Sequence, residues 1–157
     1  MLLTGFRDFD LVAEESRITH VLFSTGMHPV CLGNPLEFLL VMSDGLFTWE
    51  RAKTRAQVSV PVDPAVEPWA DDLLAGFRSR PLHPTNVNQA VHRFGRSINL
   101  PGLSPRGLRH DFAYRAVQGR GFIAARELTG TTTKILMGYA RREIAKEAAR
   151  DPRGLFG

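Results

Sequence analysis

Sulfur chemistry has little to work with in this chain, because Cys31 is the one cysteine in 157 residues. An intrachain disulfide is excluded, and a reducing, cytoplasmic setting is the natural expectation. Cys31 stands in an apolar context and reads as a small core side chain rather than a nucleophile. Long apolar runs are also missing. The longest, Phe38–Met42, is strand-length and far below a membrane span. The opening Met1–Arg7 is too briefly apolar, and too soon interrupted by charge, to read as a signal peptide. Repeats and low-complexity tracts are lacking. Tyrosine is scarce: Tyr114 and Tyr139 are the two.

What is present fits an ordinary globular chain, with 43% hydrophobic and 23% charged residues. The length allows one domain with a real core, residues 1–157, and is short for two. The net charge is +4 and the pI about 9.8, with arginine carrying most of the positive charge. That balance favours a polyanionic partner, although many basic domains never meet nucleic acid.

Periodicity predicts a mostly α chain with one small antiparallel sheet, an α+β arrangement. A helix is expected over about residues 8–26, with Leu11, Val12, Ile18, Val21, Leu22 and Phe23 as its apolar stripe and Thr25-Gly26 closing it. Asn34-Pro35 marks a turn. Strands are expected at 38–42, 46–51 and 57–62, with Ser43-Asp44-Gly45 as a turn and Ala52-Lys53-Thr54-Arg55 as a basic tip. Asp63-Pro64 opens a helical region holding Trp69, Leu73, Leu74 and Phe77. After a loop at 78–84, Thr85 is expected to cap a helix through about Ser97, with Val87, Ala90, Val91 and Phe94 inward and Asn88, His92, Arg93 and Arg96 outward. A Pro/Gly-rich connector follows at 99–105. Beyond it come a helix to the break at Gly119-Arg120-Gly121, a short helix through Leu128, a polar turn at 129–133 and a last helix over about 134–150.

The densest chemical signal is Leu103–Ala113. Ser104-Pro105 reads as an N-cap and first turn, and Arg106 and Arg109, three residues apart, share one face of it. Two guanidinium groups beside the positive end of a helix suit a phosphate. Tyr139 lies thirty residues beyond Arg109.

These pieces resemble the boxes of the tyrosine recombinases, the phage-integrase family, over roughly residues 10–142. Thr25-Gly26-Met27 looks like the opening "TGMR" box. Trp49–Thr54 followed by Val58–Pro61 looks like the β-hairpin lysine element, Leu108–Ala113 like "LRHTFA", and Met137–Ala140 like the nucleophile box "MRYA". Four boxes in the family's order are a strong signal for the fold, although each alone is weak.

The resemblance implies a tyrosine-recombinase catalytic domain that cuts and rejoins DNA through a 3′-phosphotyrosyl intermediate, with no metal, nucleotide or other cofactor. It implies Tyr139 as nucleophile, Arg109 as phosphate clamp and Lys53 as general acid, with Arg106 and His28 as altered neighbours. DNA contacts are expected from Arg51, Arg55, Arg93, Arg96 and Lys134. The implied partners are DNA and a second copy or a partner recombinase, rather than a membrane or a small molecule. The implied setting is a mobile element in a cytoplasmic, nucleoid-associated protein.

Departures accompany the likeness. His28 stands where the family has its first arginine, Arg106 where it usually has histidine, Gly130 in the register of a later histidine or tryptophan, and Cys31 in that of a glutamate. The family's separate N-terminal DNA-clamping domain is expected to be absent. Residues 140–157 are expected to serve subunit docking or to be a solvated face. A phosphate beside His28 could raise its pKa and make it a cation. The alternative to an enzyme is a catalytically impaired relative that binds DNA or another recombinase.

Overall fold

Helix α1 (Glu14–Thr25) is buried on nearly every side, although its sequence is far from uniformly apolar. Its polar side chains are reconciled with burial by bonding back into their own helix. Ser16 Oγ donates to the Ala13 carbonyl at 2.7 Å, Thr19 Oγ1 to Glu15 O at 2.7 Å and Thr25 Oγ1 to Val21 O at 2.7 Å. A computed structural model describes residues 13–129 and, beyond them, only the helical position Ala145. The part of the expected first helix that precedes residue 13, and everything expected beyond 129, lie outside the described residues.

Around α1 are arranged α2 (Pro29–Gly33), β1 (Val41–Ser43), β2 (Leu46–Glu50), β3 (Gln57–Pro61), α3 (Glu67–Ser79), α4 (Pro84–Ser97) and α5 (Pro105–Thr129). Helix α1 packs on α4 and α5, α2 packs on α4, and α5 reaches β3. The sheet is antiparallel in the order β1-β2-β3. Phe47, Trp49, Val58 and Val60 form its inner face and join the core with Ile18, Leu22, Leu74, Val91 and Leu108. Thr48 and Ser59 share a 2.9 Å hydrogen bond across the outer face. His20, fully buried on α1, places Nε2 3.6 Å from Asp63 Oδ2 and meets Trp69 edge-on. That contact ties the central helix to the segment leading from β3 into α3.

The mostly α architecture with one small sheet is as expected, but several local features differ. Pairing of the first strand begins at Val41, not Phe38. Residues 35–39 form turns instead, with Leu39 at φ 50° and Leu40 N–H donating to Pro35 O at 2.8 Å. The apolar run arose because Phe38 and Leu40 pack into the core from a turn, which periodicity cannot distinguish from a strand. The sequence reading also missed α2, a helix of five residues that carries too little periodicity to register.

The cap of α4 is His83, not Thr85. Its Nδ1 accepts the Thr85 N–H at 3.1 Å, and Pro84 occupies the first turn. The inward set of α4 is as expected: Val87, Ala90, Val91 and Phe94 are buried. The break before the short helix falls at Gly121, at φ 81° and ψ 173°, within the span of α5.

Two glycines occupy left-handed backbone for different reasons. Asp44 (φ 56°) and Gly45 (φ 75°) form the two-residue loop of the β1–β2 hairpin, as a type I′ turn requires. Gly26 (φ 65°) ends α1, its N–H donating to Leu22 O at 2.9 Å. A Cβ on Gly26 would stand 2.5 Å from the Phe112 ring, whereas one on Gly45 would meet nothing within 4 Å. Gly26→Ala is therefore expected to destabilise the fold by about 2–5 kcal/mol, adding overpacking to strain. Gly45→Ala should cost about 1–2 kcal/mol from strain alone. Urea denaturation of the two variants measures the difference.

Candidate phosphate-binding face

Three segments distant in sequence meet beyond the C-terminal end of α1. The first is the Gly26–His28 link into α2. His28 has extended backbone (φ −69°, ψ 140°), Pro29 follows it, and its Nδ1 accepts the Val30 N–H at 3.2 Å, so the side chain caps α2. The second is the β2–β3 turn, closed by hydrogen bonds from Arg51 N–H to Ala56 O (2.9 Å) and from Arg55 N–H to Arg51 O (3.0 Å). Lys53 stands exposed on this turn. The third is the first turn of α5. As expected, Ser104 caps it, Oγ accepting the Gly107 N–H at 3.1 Å, with Pro105 next.

Burial of Leu108 and Phe112 then orients Arg109. Arg109 is half-buried, and among the described residues it makes no hydrogen bond or ion pair. Its guanidinium remains available to an anion.

The electrostatics tie these segments together. Partial desolvation of the exposed His28 ring holds its pKa below the ordinary value, and the positive charges of Arg109 and Lys53 push in the same direction. An imidazole that feels both the α5 arginine and the hairpin lysine places all three on one electropositive face. In the absence of an anion this setting disfavours the charged form of His28; the expectation of a cation concerned a ring with a phosphate beside it. Behind the face, Cys31 is fully buried, and burial pushes its thiol up to about 11 despite the pull of Arg109, Arg55 and Arg51. Its Sγ–H donates to Glu50 O at 3.6 Å, as suits a core thiol and not a nucleophile.

The remaining expected site residues divide. Arg106 is exposed on the same first turn as Arg109, and Arg51 is half-buried at the start of the hairpin turn. Arg55 is committed within the fold: it donates to Glu37 O (3.2 Å) and Glu37 Oε1 (3.3 Å), lies 3.7 Å from Glu50 Oε1, and stacks 4.5 Å from the Phe38 ring. Arg93 donates from Nε to Glu15 Oε2 at 3.2 Å. That pair sits near the N-terminal end of α1, about 15 Å along the helix axis from the end that leads to His28. Arg96 is exposed on α4. Tyr139 and Lys134 lie outside the described residues, as does Gly130. Among the described residues no group of three or more His, Cys, Asp or Glu is placed to hold a metal ion, and no helix is long and apolar enough to cross a membrane.

One structural residue escaped the sequence reading. Arg115 on α5 donates from Nε to Asp111 Oδ2 (2.7 Å) and from Nη2 to the Phe23 carbonyl in the last turn of α1 (2.6 Å), while stacking 4.1 Å from the Phe23 ring. Asp111 and Arg115 at i and i+4 were the available signal. Their partner on α1 was not visible.

Comparison with known structures now bears on this geometry. The chain is similar to the XerH site-specific recombinase bound to palindromic difH substrate in a post-cleavage complex, at 17% identity and a TM-score of 0.67, covering 96% of this chain and 50% of that one. A lambda integrase dimer bound to a COC′ core site matches at 18% identity and a TM-score of 0.59, over 81% of this chain and 52% of the other. The fold is that of a tyrosine-recombinase catalytic domain. The pre-cleavage complex of XerH with difH agrees, at 18% identity and a TM-score of 0.63, over 92% of this chain and 49% of that one. The chain spans about half the length of these recombinase structures. No family model matches it, and no curated protein does.

Two outcomes follow from the geometry. Arg115→Met should lower stability by about 1–3 kcal/mol, because the Phe23 carbonyl and Asp111 lose a charged partner; thermal unfolding monitored by circular dichroism measures it. For His28, the folded pKa lies below the unfolded one, so the neutral ring contributes stability that is fully present above about 6.5 and is lost as pH falls through the lowered value. The stability advantage of wild type over His28→Asn should accordingly shrink with falling pH in that window. Denaturation at several pH values checks the sign.

Proposed function

We propose that this protein is a DNA-binding, recombinase-type strand transferase that cleaves and rejoins DNA through Tyr139. The reading is carried by one observation: Arg109 and Lys53, from elements far apart in sequence, bear on the same imidazole. A phosphodiester brought to that face would meet a guanidinium and an ammonium together.

In the proposed reaction the Tyr139 hydroxyl oxygen gives up its proton to solvent and forms a bond to phosphorus, and the bond from phosphorus to the 5′ oxygen breaks. The proton that the leaving 5′ oxygen needs comes from Lys53. Arg109 holds the non-bridging oxygens, where negative charge gathers in the transition state, and Arg106 supports it from the same turn. A 5′-hydroxyl from another strand, returning a proton to Lys53, then attacks the phosphorus of the 3′-phosphotyrosyl link; the bond from phosphorus to the tyrosine oxygen breaks and the released phenolate regains a proton from solvent. Bond energy is conserved, and covalent catalysis divides one hard exchange into two easier ones.

The neighbours in the structural comparison are DNA complexes, one of them a dimer. These complexes support DNA as the partner and a second copy, or a partner recombinase, as the assembly. We assign residues 140–157 to that docking, and DNA contacts to Arg51, Arg96 and Lys134; Arg55 and Arg93, also expected there, are engaged by carboxylates within the fold. Site-specific recombination or integration in a mobile element, within the cytoplasm, is the setting this implies.

A second reading has its own support. His28 stands where the family has a guanidinium and its charged form is disfavoured, and losing one preorganised donor in a site of this kind slows chemistry by about 10²–10³-fold. An impaired relative that binds DNA or an active recombinase is the alternative.

A duplex nicked near the cleavage site separates the two, because the released fragment cannot return and the covalent adduct accumulates. Adduct formation by wild type, and its disappearance in Tyr139→Phe, is the expected result. Salt-sensitive binding without adduct would instead establish the binding module.

A further inference from the structure

The capping bond of α2 commits His28 to one tautomer. A neutral imidazole has one donor nitrogen and one acceptor, and Nδ1 is already the acceptor for the Val30 N–H at 3.2 Å. The proton must therefore reside on Nε2, the far corner of an exposed ring. Protonating Nδ1 would set one N–H against another and break the cap.

The groups facing the ring oppose a second proton as well. Burial disfavours the charged ring most, and the positive charges of Arg109 on α5 and Lys53 on the β2–β3 turn act in the same direction. His83 repeats the arrangement elsewhere: the same His-Pro pair, with Nδ1 accepting the Thr85 N–H at 3.1 Å. It supplies an internal reference for the tautomer.

We propose that His28 donates its Nε2–H to a non-bridging oxygen of a DNA phosphate as a neutral imidazole, held in that tautomer by its own capping bond. The inference rests on the reading that this face takes a phosphodiester. It differs from replacing one cation by another. The site gains a directed donor without adding a third positive charge to those of Arg109 and Lys53, and the orientation of that donor is fixed by the backbone of α2. The donor is the ring itself, and its aim is set before any DNA arrives.

Long-range proton–nitrogen correlation spectra of the full-length, nitrogen-15-labelled protein at pH 7 test the first half. The expected result is a neutral His28 with its proton on Nε2, matching His83. A charged ring, or a proton on Nδ1, overturns the proposal. Adding a nicked duplex to the Tyr139→Phe protein tests the second half. The Nε2 resonance of His28 should shift while the ring stays neutral, and an unmoved resonance on saturation with DNA overturns it.

Two variants give a functional readout. Gln reaches an N–H donor to the position of Nε2, whereas Asn keeps a capping oxygen but falls short of the phosphate. H28Q should form adduct within about tenfold of wild type and H28N about a hundredfold more slowly. H28N equal to wild type overturns the proposal while leaving the recombinase reading intact. A shifted Nε2 resonance with no adduct from wild type supports the proposal and removes the enzyme reading.

Discussion

The close approach of Gly26 to Phe112 is the contact on which the candidate site depends. Helix α1 must stop, reverse and deliver His28 within three residues, and it does so by a left-handed turn over which the Phe112 ring closes. Phe112 lies one helical turn beyond Leu108 and next to Asp111, so the packing that seals the end of α1 also sets the azimuth of Arg109. Arg115 reinforces the joint by holding the Phe23 carbonyl and Asp111 together. His28 and Arg109 are thus both positioned from one helix–helix junction, even though His28 stands on a short connecting segment.

Arg109 differs from Arg55, Arg93 and Arg115 in how its charge is met. Arg55 and Arg93 have carboxylates within the fold, and Arg115 is shared between a carboxylate and a carbonyl. Arg109 has neither among the described residues, and its field together with that of Lys53 is felt instead by a histidine whose charged form is disfavoured. Uncompensated positive charge in a partly desolvated setting is unfavourable until an anion arrives, which is the physical sense in which such a face is prepared for a ligand. The buried thiol of Cys31 is consistent with this: surrounded by arginines, it still remains protonated because burial outweighs them.

Much of this was legible in the residues. Ser104-Pro105 announced the start of α5, Asp44-Gly45 the hairpin, Thr25-Gly26 the end of α1 and Gly121 the break within α5, because each relies on a local backbone preference. The inward face of α4 followed from its period. Failures occurred where local signals were ambiguous. Phe38 and Leu40 imitated a strand from a turn, and His83, not Thr85, capped α4 because a histidine ring can accept a backbone N–H as a hydroxyl does. Burial of Ser16, Thr19 and Thr25 on α1 could not be read from polarity, since their hydroxyls are satisfied within the helix.

The sequence by itself determined the elements, their caps and turns, and the order of the boxes that Lys53, Arg109 and Tyr139 occupy, because those are properties of neighbouring residues. Only the tertiary structure decided that the charges of Lys53 and Arg109 bear on His28, that Arg93 is anchored at the other end of α1, and that one nitrogen of the His28 ring is already engaged. The reason is that pair energies and desolvation depend on through-space distance and on what excludes water. Neither quantity exists until α1, the hairpin and α5 have packed against one another.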